Sequence, residues 1–212
     1  MEKMDREAAI KKVEGFVPKK KLEQEAKEEL LRYLEHKENP SYQPVVDAVV
    51  LGLKDVCEFL ILSGCDINEI DTYLDGCFWS PLMFAIERGD IDIFNLLLDN
   101  GADIHYWATE QEQCPLGVAA GNGRTDMFFE LLKRGVQLDV EYYDEGIDLT
   151  WRCSKEDLLC EAICSRDEKI ARYLIEQGCD LNSPVFWGYE SVWEFAKQEN
   201  ALDFLEQVER KK

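Results

Sequence analysis

Between Ser80 and Ile104 the apolar positions recur at helical spacing twice over. Ala85 and Ile86 mark the small, apolar face of a first short helix, and Pro81 suits its first turn, where a missing N–H costs nothing. Ile91, Ile93, Phe94, Leu96, Leu97 and Leu98 form a broader apolar stripe, which predicts a second helix. Gly89-Asp90 turns the chain between the two, and Gly101 ends the second helix where a positive φ is usual. Such a hairpin cannot bury its own apolar face and requires neighbours of the same kind.

Copies are present. Pro44-Val-Val-Asp-Ala48 leads to Gly64-Cys-Asp-Ile-Asn68, Pro115-Leu-Gly-Val-Ala119 to Gly135-Val-Gln-Leu-Asp139, and Leu158-Leu-Cys-Glu-Ala162 to Gly178-Cys-Asp-Leu-Asn182. In all four units the anchor and the terminal glycine stand 20 positions apart. A degenerate fifth copy runs from Ser191-Val-Trp-Glu-Phe-Ala196 into Leu202-Asp-Phe-Leu205. Ser80-Pro-Leu-Met-Phe-Ala85 with Gly101-Ala-Asp-Ile104 resembles the ankyrin repeat, over about residues 41–210. The resemblance implies an all-α ankyrin-repeat solenoid of about five helix-turn-helix repeats with extended finger loops (about 42–68, 69–104, 105–140, 141–182 and 183–210). The family's Thr position holds Gln43, Ser80, Cys114, Asp157 and Ser191, and its His position Val46, Met83, Gly117, Cys160 and Glu194. Weaker hydrogen bonding between repeats follows, with more dependence on packing.

Residues 1–39 read differently from residues 40–212. Met4–Val13 and Leu22–His36 predict two amphipathic helices around Gly15-Phe-Val-Pro18, either a polar N-terminal helical cap on the first repeat or a docking element for a partner. Asn39-Pro40-Ser41 is the boundary.

A repeat of about 33 residues leaves about 13 from the terminal glycine to the next anchor. Here the intervals are 17, 14, 23 and 14, so the fingers before the second and fourth repeats are extended. Insertions of this kind map to one face of a repeat array, often the binding face. The four fingers carry Tyr73, Phe78, Trp79, Tyr106, Trp107, Tyr142, Tyr143, Trp151, Phe186, Trp187 and Tyr189, eleven of the chain's 23 aromatics. Among the carboxylates interleaved with them are Asp71, Asp75, Glu110, Glu112, Asp144, Glu145, Asp148 and Glu190. Tyr and Trp give large contact area with few rotors to freeze, and carboxylates beside them suit Arg and Lys of a partner. The set reads as a partner-binding surface. Trp79 and Trp151, just before their helices, are also suited to bracing long loops. Phe84, Glu87, Arg88, Asn122, Ser165 and Gln198, on the inner helices, are plausible only as rim contacts.

Charge sharpens the partner. The chain carries a formal charge of −20. Through Glu38 ten basic residues balance ten acidic ones, which leaves 14 basic against 34 acidic in the repeats. That argues against nucleic acid or an anionic membrane and favours a basic protein. No apolar run approaches a membrane span, and the charged start Met1-Glu-Lys-Met-Asp-Arg-Glu7 predicts no secretory signal. The eight cysteines lack CxxC pairing and suit a reducing, cytoplasmic setting.

Nothing points to chemistry. His36 falls in the cap helix and His105 at a repeat close. Cys160 and Cys164 share a helical face without further ligands nearby, so no metal, cofactor or catalytic group is expected. The reading is a non-catalytic interaction module, monomeric on its own, that masks or inhibits a basic protein, as an immunity-type antitoxin or a mimic of nucleic-acid charge would. The alternative is a general scaffold or adaptor, including a bacterial effector that recruits a host protein. An enzyme with a cryptic site is the third hypothesis.

Overall fold

The structure, a computed structural model, describes residues 4–36, 43–70, 78–108, 113–144, 149–185 and 188–210, with the backbone alone at His36, 140–144 and 149–152. The chain divides into two compact units, Met1–Gln111 and Glu112–Lys212.

The first unit holds six helices among its described residues: α1 (Arg6–Glu14), α2 (Lys21–His36), α3 (Pro44–Val50), α4 (Lys54–Leu62), α5 (Pro81–Arg88) and α6 (Ile91–Asp99). Helix α3 is apolar nearly all round and buried along its length, because α2, α4 and α5 all pack on it. Helix α1 lies on α2 and α4, and α6 on α4 and α5. Prolines open α3 and α5 at the first helical turn. Asp90 caps α6 by accepting from the Ile93 N–H at 3.1 Å.

The second unit holds α7 (Pro115–Gly121), α8 (Thr125–Lys133), α9 (Lys155–Ser165), α10 (Glu168–Glu176), α11 (Val192–Gln198) and α12 (Leu202–Glu209), with strands β1 (Val140–Asp144) and β2 (Leu149–Cys153) before α9. Helix α9 packs on α7, α10 and α11; α12 closes against α10 and α11. Proline again opens α7. The fourth anchor, Leu158, is not proline, and α9 starts a turn earlier at Lys155. A reciprocal cap fixes that start: Asp157 N–H donates to Ser154 Oγ at 3.1 Å, and Ser154 N–H to Asp157 Oδ2 at 3.0 Å.

The terminal glycines are alike. Gly64, Gly101, Gly135 and Gly178 have φ of 86°, 90°, 102° and 87°. A Cβ at any of them would meet nothing within 4 Å, so backbone conformation and not crowding selects glycine.

One expectation needs correction. The finger between α8 and α9 reads as a loop in sequence, but its stems form an antiparallel two-stranded ladder in which Tyr142 pairs with Trp151 and Tyr143 with Thr150. Aromatic and β-branched residues on both stems favour strand, and pairing across the finger realises that preference.

Hydrogen bonds that the departures from Thr and His remove are partly replaced by charged side chains reaching to a neighbouring helix end. Val46 N–H, in the first turn of α3, donates to Glu69 Oε1 at 2.8 Å. The Arg88 guanidinium donates to Val50 O at 2.6 Å at the other end of that helix. Arg6 donates to Leu34 O near the end of α2, and Arg166 to Asn200 O after α11 at 2.9 Å. Carboxylates stand at N-termini and guanidinium groups at C-termini, as the helix dipole favours.

Candidate interaction surface

Three of the four repeat closes are stiffened by an aspartate that accepts from the backbone two residues on: Asn68 N–H to Asp66 Oδ1 at 2.8 Å, His105 N–H to Asp103 Oδ1 at 2.8 Å, and Asn182 N–H to Asp180 Oδ1 at 3.0 Å. The Asn182 N–H holds the Asp180 carboxyl below the usual carboxylate range. The third close has Gln137 in that position, and Asp139 instead accepts from the Lys155 N–H at the start of α9 at 3.1 Å. His105 is therefore an exposed turn residue, as its position in sequence suggests.

In the first unit these turns project four aromatics. The Tyr106 hydroxyl donates to Phe78 O at 2.7 Å and ties the second finger to the end of the first. Burial pushes the Tyr106 phenol up. Phe78 itself adopts φ 50°, a conformation uncommon for a bulky residue, and the residue is 37% exposed. Trp79 is half-buried, its ring edge-on to Phe84 at 5.5 Å, and its Nε1 is buried with no hydrogen-bond acceptor. Trp79 thus packs on α5, while Phe78 stays exposed. Trp107 is half-buried.

In the second unit the last finger folds on itself. Val185 N–H donates to Tyr189 O at 3.1 Å around Gly188, whose φ is 80°. The Tyr189 ring stands edge-on to Phe195 at 5.3 Å, while Glu190 is exposed. Backbone pairing places Tyr142, Tyr143, Asp144 and Trp151 on the hairpin. Asp71, Tyr73, Asp75, Glu110, Glu112, Glu145, Asp148, Phe186 and Trp187 lie outside the described residues.

Most of the inner-helix positions considered as rim contacts are buried or bond a backbone carbonyl of their own or a neighbouring helix. Phe84 is buried, Arg88 is bound to Val50 O, Asn122 Nδ2 donates to Val118 O at 2.9 Å, and Ser165 Oγ donates to Ala120 O at 2.7 Å. Glu87 and Gln198 are exposed.

Sequence reasoning missed Glu69. Its carboxyl accepts the Val45 and Val46 N–H groups where the chain enters the first finger, and burial outweighs those bonds and pushes it up to about 8. Its position directly after Gly64-Cys-Asp-Ile-Asn68 was the available signal. Among the described residues no three His, Cys, Asp or Glu side chains gather as a metal site. No described helix is long and apolar enough to cross a membrane.

A family model for ankyrin repeats in three copies matches residues 45–144 and, in a second placement, 82–185. No curated protein matches the chain.

Proposed function

The chain belongs to the ankyrin-repeat family of protein–protein interaction modules, and from that premise we propose that it binds and masks a basic protein through its acidic, aromatic fingers. The observation that carries this reading is the charge asymmetry: the repeats hold 34 acidic against 14 basic residues while the first 38 residues are balanced. A potential of that sign draws a cationic partner in and speeds encounter. Phe78, exposed on a left-handed backbone that Tyr106 holds in place, supports the fingers as contact points. An immunity-type antitoxin that covers a cationic toxin fits this profile. The N-terminal helices cap the first repeat, the protein acts as a cytoplasmic monomer, and masking its partner involves no catalysed reaction.

The test is capture of ligands from the native cell's lysate, followed by purified binding at about 0.05 M and about 0.5 M salt, where screening differs strongly. One basic protein that binds tightly, weakens with salt and loses its own activity on binding supports masking. Several neutral partners, or one whose activity is unaffected, would replace masking by the scaffold reading.

A further inference from the structure

Cys114, which precedes α7, and Cys153, which ends β2, are 39 residues apart in the chain, yet their Sγ atoms lie 3.6 Å apart. Both thiols are free, and the residues are 4% and 8% exposed. A disulfide needs its sulfurs at about 2.05 Å, so the two must approach by about 1.5 Å for the bond to form. The two thiols are not equivalent. Cys114 Sγ also accepts the Gly117 N–H at 3.4 Å, and while either sulfur can donate in the contact between them, that backbone donor favours the arrangement in which Cys153 donates. The Cys153 S–H accordingly draws the Cys114 thiol down, and Cys153, donating and buried, is pushed up.

We infer that Cys114 and Cys153 form a reversible oxidation site for a small hydroperoxide, which clamps the base of the third finger to the start of α7. Cys114, as thiolate, attacks one peroxide oxygen. The O–O bond breaks and the second oxygen leaves with a proton as water, or as an alcohol from an organic hydroperoxide. Cys114 is now a sulfenic acid. The Cys153 sulfur then attacks the Cys114 sulfur, the S–O bond breaks, and hydroxide leaves as water with the Cys153 proton. Two thiols and one hydrogen peroxide thus become one disulfide and two waters. A dithiol in a reducing compartment stays open until peroxide rises, and thiol reductants reopen it. The bond would restrain the hairpin that carries Tyr142, Tyr143 and Trp151, and so couple oxidation to the shape of one finger.

The reduced full-length protein is treated with a small excess of hydrogen peroxide, alkylated and digested for mass mapping. The expected product is a Cys114–Cys153 cross-linked peptide that dithiothreitol reverses, together with slower amide exchange over 140–153. In Cys153→Ser the cross-link disappears and Cys114 proceeds to sulfinic acid. Cys164→Ser, which removes an exposed thiol, leaves the cross-link intact. Alkylation of both Cys114 and Cys153 in the peroxide-treated wild type would overturn the inference. So would oxidation that maps to Cys164 in their place, or sulfinic acid at Cys114 beside an intact Cys153 in the wild type.

Discussion

Replacing Glu69 by Gln should remove a pH dependence from the stability of this protein. The carboxyl sits beneath the first turn of α3, where Val45 and Val46 donate to it, and among the described residues no cation offsets its desolvation. Its pKa moves from 4.5 to about 8. Below pH 4.5 the group is protonated whether the chain is folded or not, and its full relative stabilisation is present. Between 4.5 and about 8 the unfolded chain ionises while the folded one keeps its proton, so stability falls as pH rises. Above about 8 the loss is complete. At about 1.4 kcal/mol per pH unit the window is worth at most about 5 kcal/mol, and water reaching the part-exposed carboxyl reduces it to on the order of 3.

Glutamine keeps an oxygen for the Val46 N–H and carries no charge. Urea unfolding of wild type and Glu69→Gln at several pH values across this window provides the assay, because the difference between the two proteins cancels every group they share. The variant should gain on the wild type steadily as pH rises from 4.5 to about 8. Parallel curves, or a gap that narrows toward high pH, would refute the burial account and make Glu69 an ordinary ionised cap.

Leu97, fully buried on α6, should cost about 2–5 kcal/mol when cut to Ala, read from denaturant unfolding. An unchanged midpoint would contradict the packing of α6. Gly178→Ala forces a Cβ onto φ 87° with open space around it, so it should destabilise by about 1 kcal/mol through conformation alone. A cost well above that would mean that the added Cβ is crowded, and no cost would contradict the left-handed backbone. Phe78→Ala should weaken partner binding by more than about 2 kcal/mol in calorimetry, with little change in melting temperature. A melting temperature that falls together with affinity would make Phe78 a brace like Trp79.

How much of this was legible in sequence depends on how local each determinant is. Pro44, Pro81 and Pro115 start helices and the four glycines end them through their own φ preferences, so the repeat phase is readable without tertiary knowledge. Leu158 imposes no such restriction, so the start of α9 at Lys155 cannot be read from the anchor. The ladder between β1 and β2 depends on pairing across a finger, and periodicity along one stem does not reveal it. Glu69, Arg6, Arg88 and Arg166 act on helix ends far from them in the chain, and the contact of Cys114 with Cys153 spans two helices and a finger. The aromatic richness of the fingers was visible, but its division was not. Trp79 and Tyr189 turn their rings onto Phe84 and Phe195, and Phe78 does not turn inward.

The charge that would attract a partner also strains the free protein, and the two effects respond oppositely to salt. With 44 acidic and 24 basic residues the chain repels itself, a cost that added salt reduces by screening. Ion pairs lose strength under the same conditions, but those such as Lys11–Glu7 and Arg210–Glu206 are exposed and contribute little. The melting temperature of the isolated protein should therefore rise between about 0.05 M and about 0.5 M salt, while affinity for a basic partner falls over the same range. A partner that neutralises the fingers replaces salt in the first role, so its stabilising effect should be largest at low salt. Affinity that is indifferent to salt, together with a melting temperature that still rises, would show that the acidic excess maintains solubility and plays no part in recognition.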